Sequence, residues 1–132
     1  MGCTSKAKKR ASSDLLKPDP AIVLKESTER GGLLYTDFCM QCHMANGLGI
    51  EGTFPPLAGS DWLTDKRTES IHAVKYGQSG EIVVNGKLYN SVMIPMGLSD
   101  EEIADVLNYV MNSWGNKQDQ VVTPEEVSKI TK

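Results

Sequence analysis

Apolar residues keep helical spacing most clearly in LSDEEIADVLNYVMNSWG, where Ile103, Val106, Leu107, Val110 and Trp114 fall on one face. Ser99 and Glu102 form a capping box ahead of this stripe, Leu98 and Ile103 can staple across the cap, and Gly115 stands where such a helix stops. The stripe therefore predicts a long amphipathic helix that must dock on a second surface. A candidate surface lies upstream. Asp19-Pro20 predicts a short helix over Ala21 to about Glu26, and Ser27 is placed to cap another from Thr28 to Cys39. In that second helix Gly31 and Tyr35 lie one turn apart, as do Leu34 and Phe38. The Gly31/Tyr35 face is the expected docking partner.

Ile71 and Val74 keep the same period in a third helical segment, from about Asp65 to Tyr76, with Gly77 as its stop. A last short helix is expected over 124 to about 130, capped by Thr123 with Pro124 at its first position. The only alternating stretch is EIVVNGKLY, in which Asn85-Gly86 supplies the residues of a type I′ hairpin turn. Between Met44 and Asp61, four glycines and two prolines argue against regular structure and predict a wrapping loop. There is no internal repeat. The pattern implies one mainly α domain over 19–132, with a small hairpin insertion and extensions at both ends, preceded by a linker over 1–18.

Composition narrows this only a little. With 39% hydrophobic and 23% charged residues the 132-residue chain is an ordinary globule, but aromatics at 6% leave it a modest core. A bound group that brought its own apolar bulk would help it fold. The net charge of −3 divides into +4 over the first ten residues and −7 over the rest. That acidic body is a poor nucleic-acid ligand, while the basic tail suits an anionic lipid surface. No stretch reaches the roughly 18 apolar residues of a membrane span. MGCTSK resembles the processing site of bacterial lipoproteins, which implies a lipid anchor at Cys3 and an extracytoplasmic, membrane-tethered protein.

Residues 39 to 43 read CMQCH. Two cysteines three apart with a histidine directly behind point to covalent haem attachment, Cys39 and Cys42 holding the two vinyl groups and His43 facing the iron. Zinc would want four ligands, and only Cys3 and His72 remain to complete them. A redox dithiol would want a βαβ setting, which is missing. The sixth iron ligand has six candidates: Met40, Met44, Met93, Met96, Met111 and His72. Met40 and Met44 flank the attachment motif and cannot reach the other haem face. Met111 lies inside the C-terminal helix, and His72 inside a helix among polar neighbours. Met93 and Met96, bracketing Pro95 in NSVMIPMGLSD, remain open.

Taken together, GLLYTDFCMQCH, then PPLAG, then a methionine ahead of the C-terminal helix resemble the class I c-type cytochromes. The resemblance implies the cytochrome c fold around one haem c. It further implies that the Pro55 carbonyl accepts the N–H of His43, and that the sulfur ligand lies about six residues before the helix cap at Ser99, which is Met93. Family members more often read Met-Pro directly, so the intervening Ile94 keeps Met96 as a rival. Trp62 could donate its indole N–H to a haem propionate, and Tyr76 or Tyr89 could do likewise; Trp114 belongs to the helix stripe.

A filled sixth site points to electron transfer and not catalysis. On the resemblance, the chain is a monomeric carrier between a quinol-oxidising complex and a haem-copper terminal oxidase or a reductase. A haem-carrying subunit or domain of a larger redox enzyme is the alternative, and a gas-binding haem protein a more distant one.

Overall fold

A computed structural model describes residues 17–132, so the expected linker and Cys3 fall almost wholly outside the described residues. Helix α1 spans Pro20–Phe38 and runs with little interruption into α2, Met40–His43. After a long loop come α3 (Asp61–Asp65) and α4 (Arg67–Tyr76), strands β1 (Ile82–Val84) and β2 (Lys87–Tyr89), then α5 (Asp100–Val110) and α6 (Pro124–Ser128). The mainly α architecture with one small antiparallel sheet is that of the cytochrome c fold.

Asp19 caps α1 as expected, accepting from the Ala21 amide at 2.9 Å with Pro20 at the first position. The expected break at Ser27 does not occur. Ser27 is 4% exposed and spends its hydroxyl on tertiary contacts, donating to Asp105 Oδ1 at 2.7 Å and accepting from Asn108 Nδ2 at 2.9 Å. Arg30 adds two bonds to the same carboxylate, at 2.8 and 3.0 Å. A residue type that caps helices when exposed here joins two helices from the middle of one.

The crossing of α1 and α5 is the main packing contact of the fold. Tyr35, Ile103, Val106, Leu107 and Val110 are buried in its core, as the two apolar faces predict. Gly31 sits where the helices come closest: a Cβ there would lie 2.0 Å from the Asp105 carbonyl oxygen. The capping box of Ser99 and Glu102 is formed. The helix stops earlier than expected, at Val110, and Trp114 takes a left-handed conformation with φ 54°. Its ring leaves the stripe to stack with Tyr35 and Tyr109, at centroid distances of 5.1 and 5.7 Å, while its indole N–H donates to Ala45. That contact ties the C-terminal helix to the chain just past His43.

The expected third helix forms as α4, and Ser60 caps an additional turn, α3, ahead of it, with a break at Lys66. The hairpin forms on Asn85-Gly86, with φ of 51° and 77°, and pairs Ile82 with Tyr89 and Val84 with Lys87. Asp61 and Asn85 exchange backbone-to-side-chain bonds at 3.0 and 2.8 Å, so the hairpin tip is pinned to the start of α3. Lys87 also pairs with Glu51 across the surface.

Residues after α5 return across the molecule. Asn108 holds both backbone groups, N–H and C=O, of Val122, and Arg67 grips Glu126 with two bonds at 2.7 and 2.8 Å. Val122 and Val127 are the buried residues of this strap.

Candidate functional site

Helix α2 is a single turn, and it places Cys39, Cys42 and His43 on the wall of one apolar cavity of about 450 Å³. That volume is in the range of sites that enclose a cofactor. Helix α5 closes another part of the wall with Val106, Leu107 and Val110, and the hairpin contributes Val84 and Tyr89. Pro55, Trp62, Met93 and Met96 line the same space. Cys39, Cys42, His43, Pro55, Trp62, Met93 and Met96 thus share one cavity.

His43 is 8% exposed, and its Nδ1 lies 2.9 Å from the Pro55 carbonyl oxygen. A carbonyl only accepts, so Nδ1 carries the proton and Nε2 keeps its lone pair for a metal. Burial also lowers the His43 pKa, against the smaller opposing effect of the Pro55 bond, which keeps the ring neutral. Burial pushes the Cys39 thiol up to about 11, with Cys42 adding to the effect. Neither cysteine is in a disulfide.

The loop between these groups is built from backbone bonds. Gly49 N–H donates to the His43 carbonyl at 3.0 Å, and Ile50 and Phe54 exchange bonds at 2.9 and 2.8 Å. A Cβ on Gly49 would lie 2.2 Å from the Phe54 carbonyl oxygen and 2.7 Å from that of Pro55, at a φ of +61°. The Pro55 carbonyl reaches His43 because residue 49 has no side chain. Burial raises the Tyr35 hydroxyl well above the usual phenol range, so it remains a donor to the Met44 carbonyl.

The two rival methionines differ in how their backbones are held. Met93 exchanges both backbone bonds with Gln78, at 2.9 and 2.8 Å, whereas Met96 makes no backbone hydrogen bond among the described residues. Trp62 lines the cavity, and its indole N–H has no partner among the described residues. Tyr89 lines it too. Tyr76 does not, because its hydroxyl donates to Ile130 at 3.1 Å. Met40, Met44, Met111 and His72 lie outside the lining; Met111 packs in the core and His72 stacks on Tyr76.

Sequence reading missed Gly49 and Gln78. Each acts through the backbone of another residue, Gly49 on Phe54 and Pro55 and Gln78 on Met93. The only available signals were a glycine within a glycine-rich loop and a polar residue just past a helix stop.

An apolar cavity with paired thiols on its wall, a neutral histidine whose free nitrogen is ready to coordinate, and methionine sulfurs close by fits a covalently attached haem. Among the described residues no cluster of His, Cys, Asp or Glu suits a separate metal ion. Fold and site together define a class I monohaem c-type cytochrome, with haem c bound through Cys39 and Cys42.

Comparison with known proteins agrees. The family model for cytochrome c matches residues 28–114, and the chain belongs to that family. It is 42% identical over 109 residues to cytochrome c-552 of Thermus thermophilus, covering 76% of this chain and 82% of that one. It is also similar to larger proteins. Identity is 34% over 104 residues with the cytochrome c subunit of the quinone alcohol dehydrogenase of Gluconobacter oxydans, covering 76% of this chain and 21% of that subunit. With the Cbb3-type cytochrome c oxidase subunit FixP of Bradyrhizobium diazoefficiens it is 31% over 106 residues, covering 76% and 34%. The protein is an electron-transfer protein by family, and no described helix is long and apolar enough to cross a membrane.

Proposed function

We propose that this chain is a mobile one-electron carrier between membrane-associated respiratory complexes, a quinol-oxidising complex on one side and a haem-copper terminal oxidase or reductase on the other. The bound haem supplies a ferric/ferrous couple whose potential follows its axial ligands and its burial. One observation supports the reading: His43 and Met93 line the same apolar cavity, so the two would offer a nitrogen and a sulfur donor to one haem and close its iron to a substrate. His43 is the nitrogen ligand, held by Pro55; Met93 is the sulfur ligand; Trp62 offers its indole N–H to a propionate. An extracytoplasmic setting, a tether over 1–18 and a lipid anchor at Cys3 complete it. The tether would raise the effective concentration near membrane partners without tight binding.

The cytochrome subunits among its relatives favour a second reading, in which the chain travels as part of a larger dehydrogenase or oxidase. Gel filtration after detergent release from native membranes separates the two. A carrier is recovered alone; co-elution with a dehydrogenase or oxidase activity would sink the first reading.

Gly49→Ala tests the histidine side of the site. The added methyl must push the Phe54–Pro55 backbone away, weakening the His43–Pro55 bond and the electron donation it supports. The midpoint potential is expected to rise by tens of millivolts, where about 59 mV is a tenfold change in the one-electron equilibrium. Redox titration reads it, and an unchanged potential would discount this role for the loop.

A further inference from the structure

Lys75 has no part in the site described above, yet its side chain is only 16% exposed. Its ammonium donates to the carbonyls of Val127 at 2.8 Å and Ile130 at 3.2 Å, and lies 3.5 Å from Asp100 Oδ1. Two carbonyls take hydrogen bonds from the ammonium, and the Asp100 carboxylate faces its charge. They belong to two parts of the fold: the C-terminal strap and the first residue of α5.

Three residues beyond Lys75, Gln78 holds the backbone of Met93 through both of its bonds. Gly77 packs against the same residue, with a built Cβ falling 2.7 Å from the Met93 carbonyl oxygen. The segment 93–100, which carries both methionines, is therefore held at its start by Gln78 and at its end by Asp100. Both holds converge on the last turn of α4, where Lys75 sits. Leu98 and the Ser99 capping box hold the far end of the segment as well, so its loose part is the stretch around Ile94, which is 62% exposed. The strap lies beyond residue 114, outside the stretch matched by the family, and Tyr76 binds it as well.

We propose that Lys75 is a positioning residue for the methionine segment, and that the strap over 122–130 braces it in place. The proposal rests on the reading of Met93 as the sulfur ligand. A largely buried ammonium stays where its acceptors are. The strap carbonyls fix Nζ, and Nζ fixes Asp100. Without that link the stretch between Gln78 and the cap of α5 loosens, and the Met93 sulfur leaves its place more often.

Lys75→Met keeps the apolar stem and removes the ammonium. In the full-length holoprotein, amide hydrogen exchange at Gln78 and Met93 is expected to quicken about tenfold. Cyanide binding to the ferric form should quicken several-fold, both measured well below the thermal midpoint. Arg67→Met is the comparison: it cuts the strap's grip at Glu126 without touching residues 75–78 or Asp100. It should lower the thermal midpoint and, because Asn108 still holds Val122 in the strap, quicken both rates less than Lys75→Met does. Faster exchange without faster cyanide entry supports the brace and counts against Met93 as ligand. Unchanged exchange in Lys75→Met, or equal acceleration in Arg67→Met, overturns the proposal. Should Lys75→Met fail to accumulate, Asp100→Ala removes the arm to the methionine segment; faster exchange at Met93 supports the brace and an unchanged rate overturns it.

Discussion

Gly31→Ala is expected to cost about 3–5 kcal/mol, at the upper end for one added methyl group. The contact explains the size of the effect. The new Cβ would stand 2.0 Å from the Asp105 carbonyl oxygen and 2.6 Å from its carbon, and both are helix backbone that no rotamer change can move. Either α1 and α5 separate, or one of them bends. Separation also loosens Arg30 and Ser27 from Asp105 and opens the Tyr35, Tyr109 and Trp114 stack. Gly32→Ala is the internal control. Its Cβ meets only the Tyr109 ring, at 3.2 Å, and a ring can shift. Removing a helical glycine is itself worth roughly 0.5–1 kcal/mol, so this neighbour should come out near neutral or slightly stabilised. Thermal unfolding of the two holoproteins checks the pair, with an expected difference of roughly 10–20 °C. Equal midpoints would show that the helices do not meet as closely as described.

The same crossing shows what the sequence could reveal. The Ile103 to Val110 stripe and the Gly31/Tyr35 face each have a local period, so both helices and their mutual docking were legible. So were CMQCH and Asn85-Gly86, because attachment and turn geometry need fixed residue types at fixed short spacing. Ser27 was misread for the opposite reason. Its acceptor, Asp105, stands 78 positions away, and nothing near Ser27 separates a cap from a buried bridge. Trp114 matched the helical period but was drawn out of it by a hydrogen bond to Ala45, 69 positions distant. Pro55 was placed through family resemblance, since a carbonyl leaves no mark in the residue that bears it. Lys75 and Gln78 stayed invisible because their partners are main-chain atoms or distant side chains.

Met93→Ala is expected to abolish the weak far-red sulfur-to-iron absorption of the ferric protein, lower its potential by roughly 100 mV or more, and open the ferrous form to rapid carbon monoxide binding. Met96→Ala should leave all three properties close to wild type. Both side chains reach the cavity, so proximity alone does not decide between them. Preorganisation favours Met93. Two backbone bonds to Gln78 fix the Met93 main chain before any ligand bond forms, so its sulfur loses little further freedom on coordinating. Met96 follows Ile94 and Pro95, both exposed, and its own backbone makes no described hydrogen bond, so its coordination must also order the segment around it. A thioether stabilises the ferrous state, which is why its loss lowers the potential while a mere repacking of the cavity would not remove the far-red band. Survival of that band in Met93→Ala together with its loss in Met96→Ala would reverse the assignment. Survival in both single variants and loss only in the double variant would mean that either sulfur can serve.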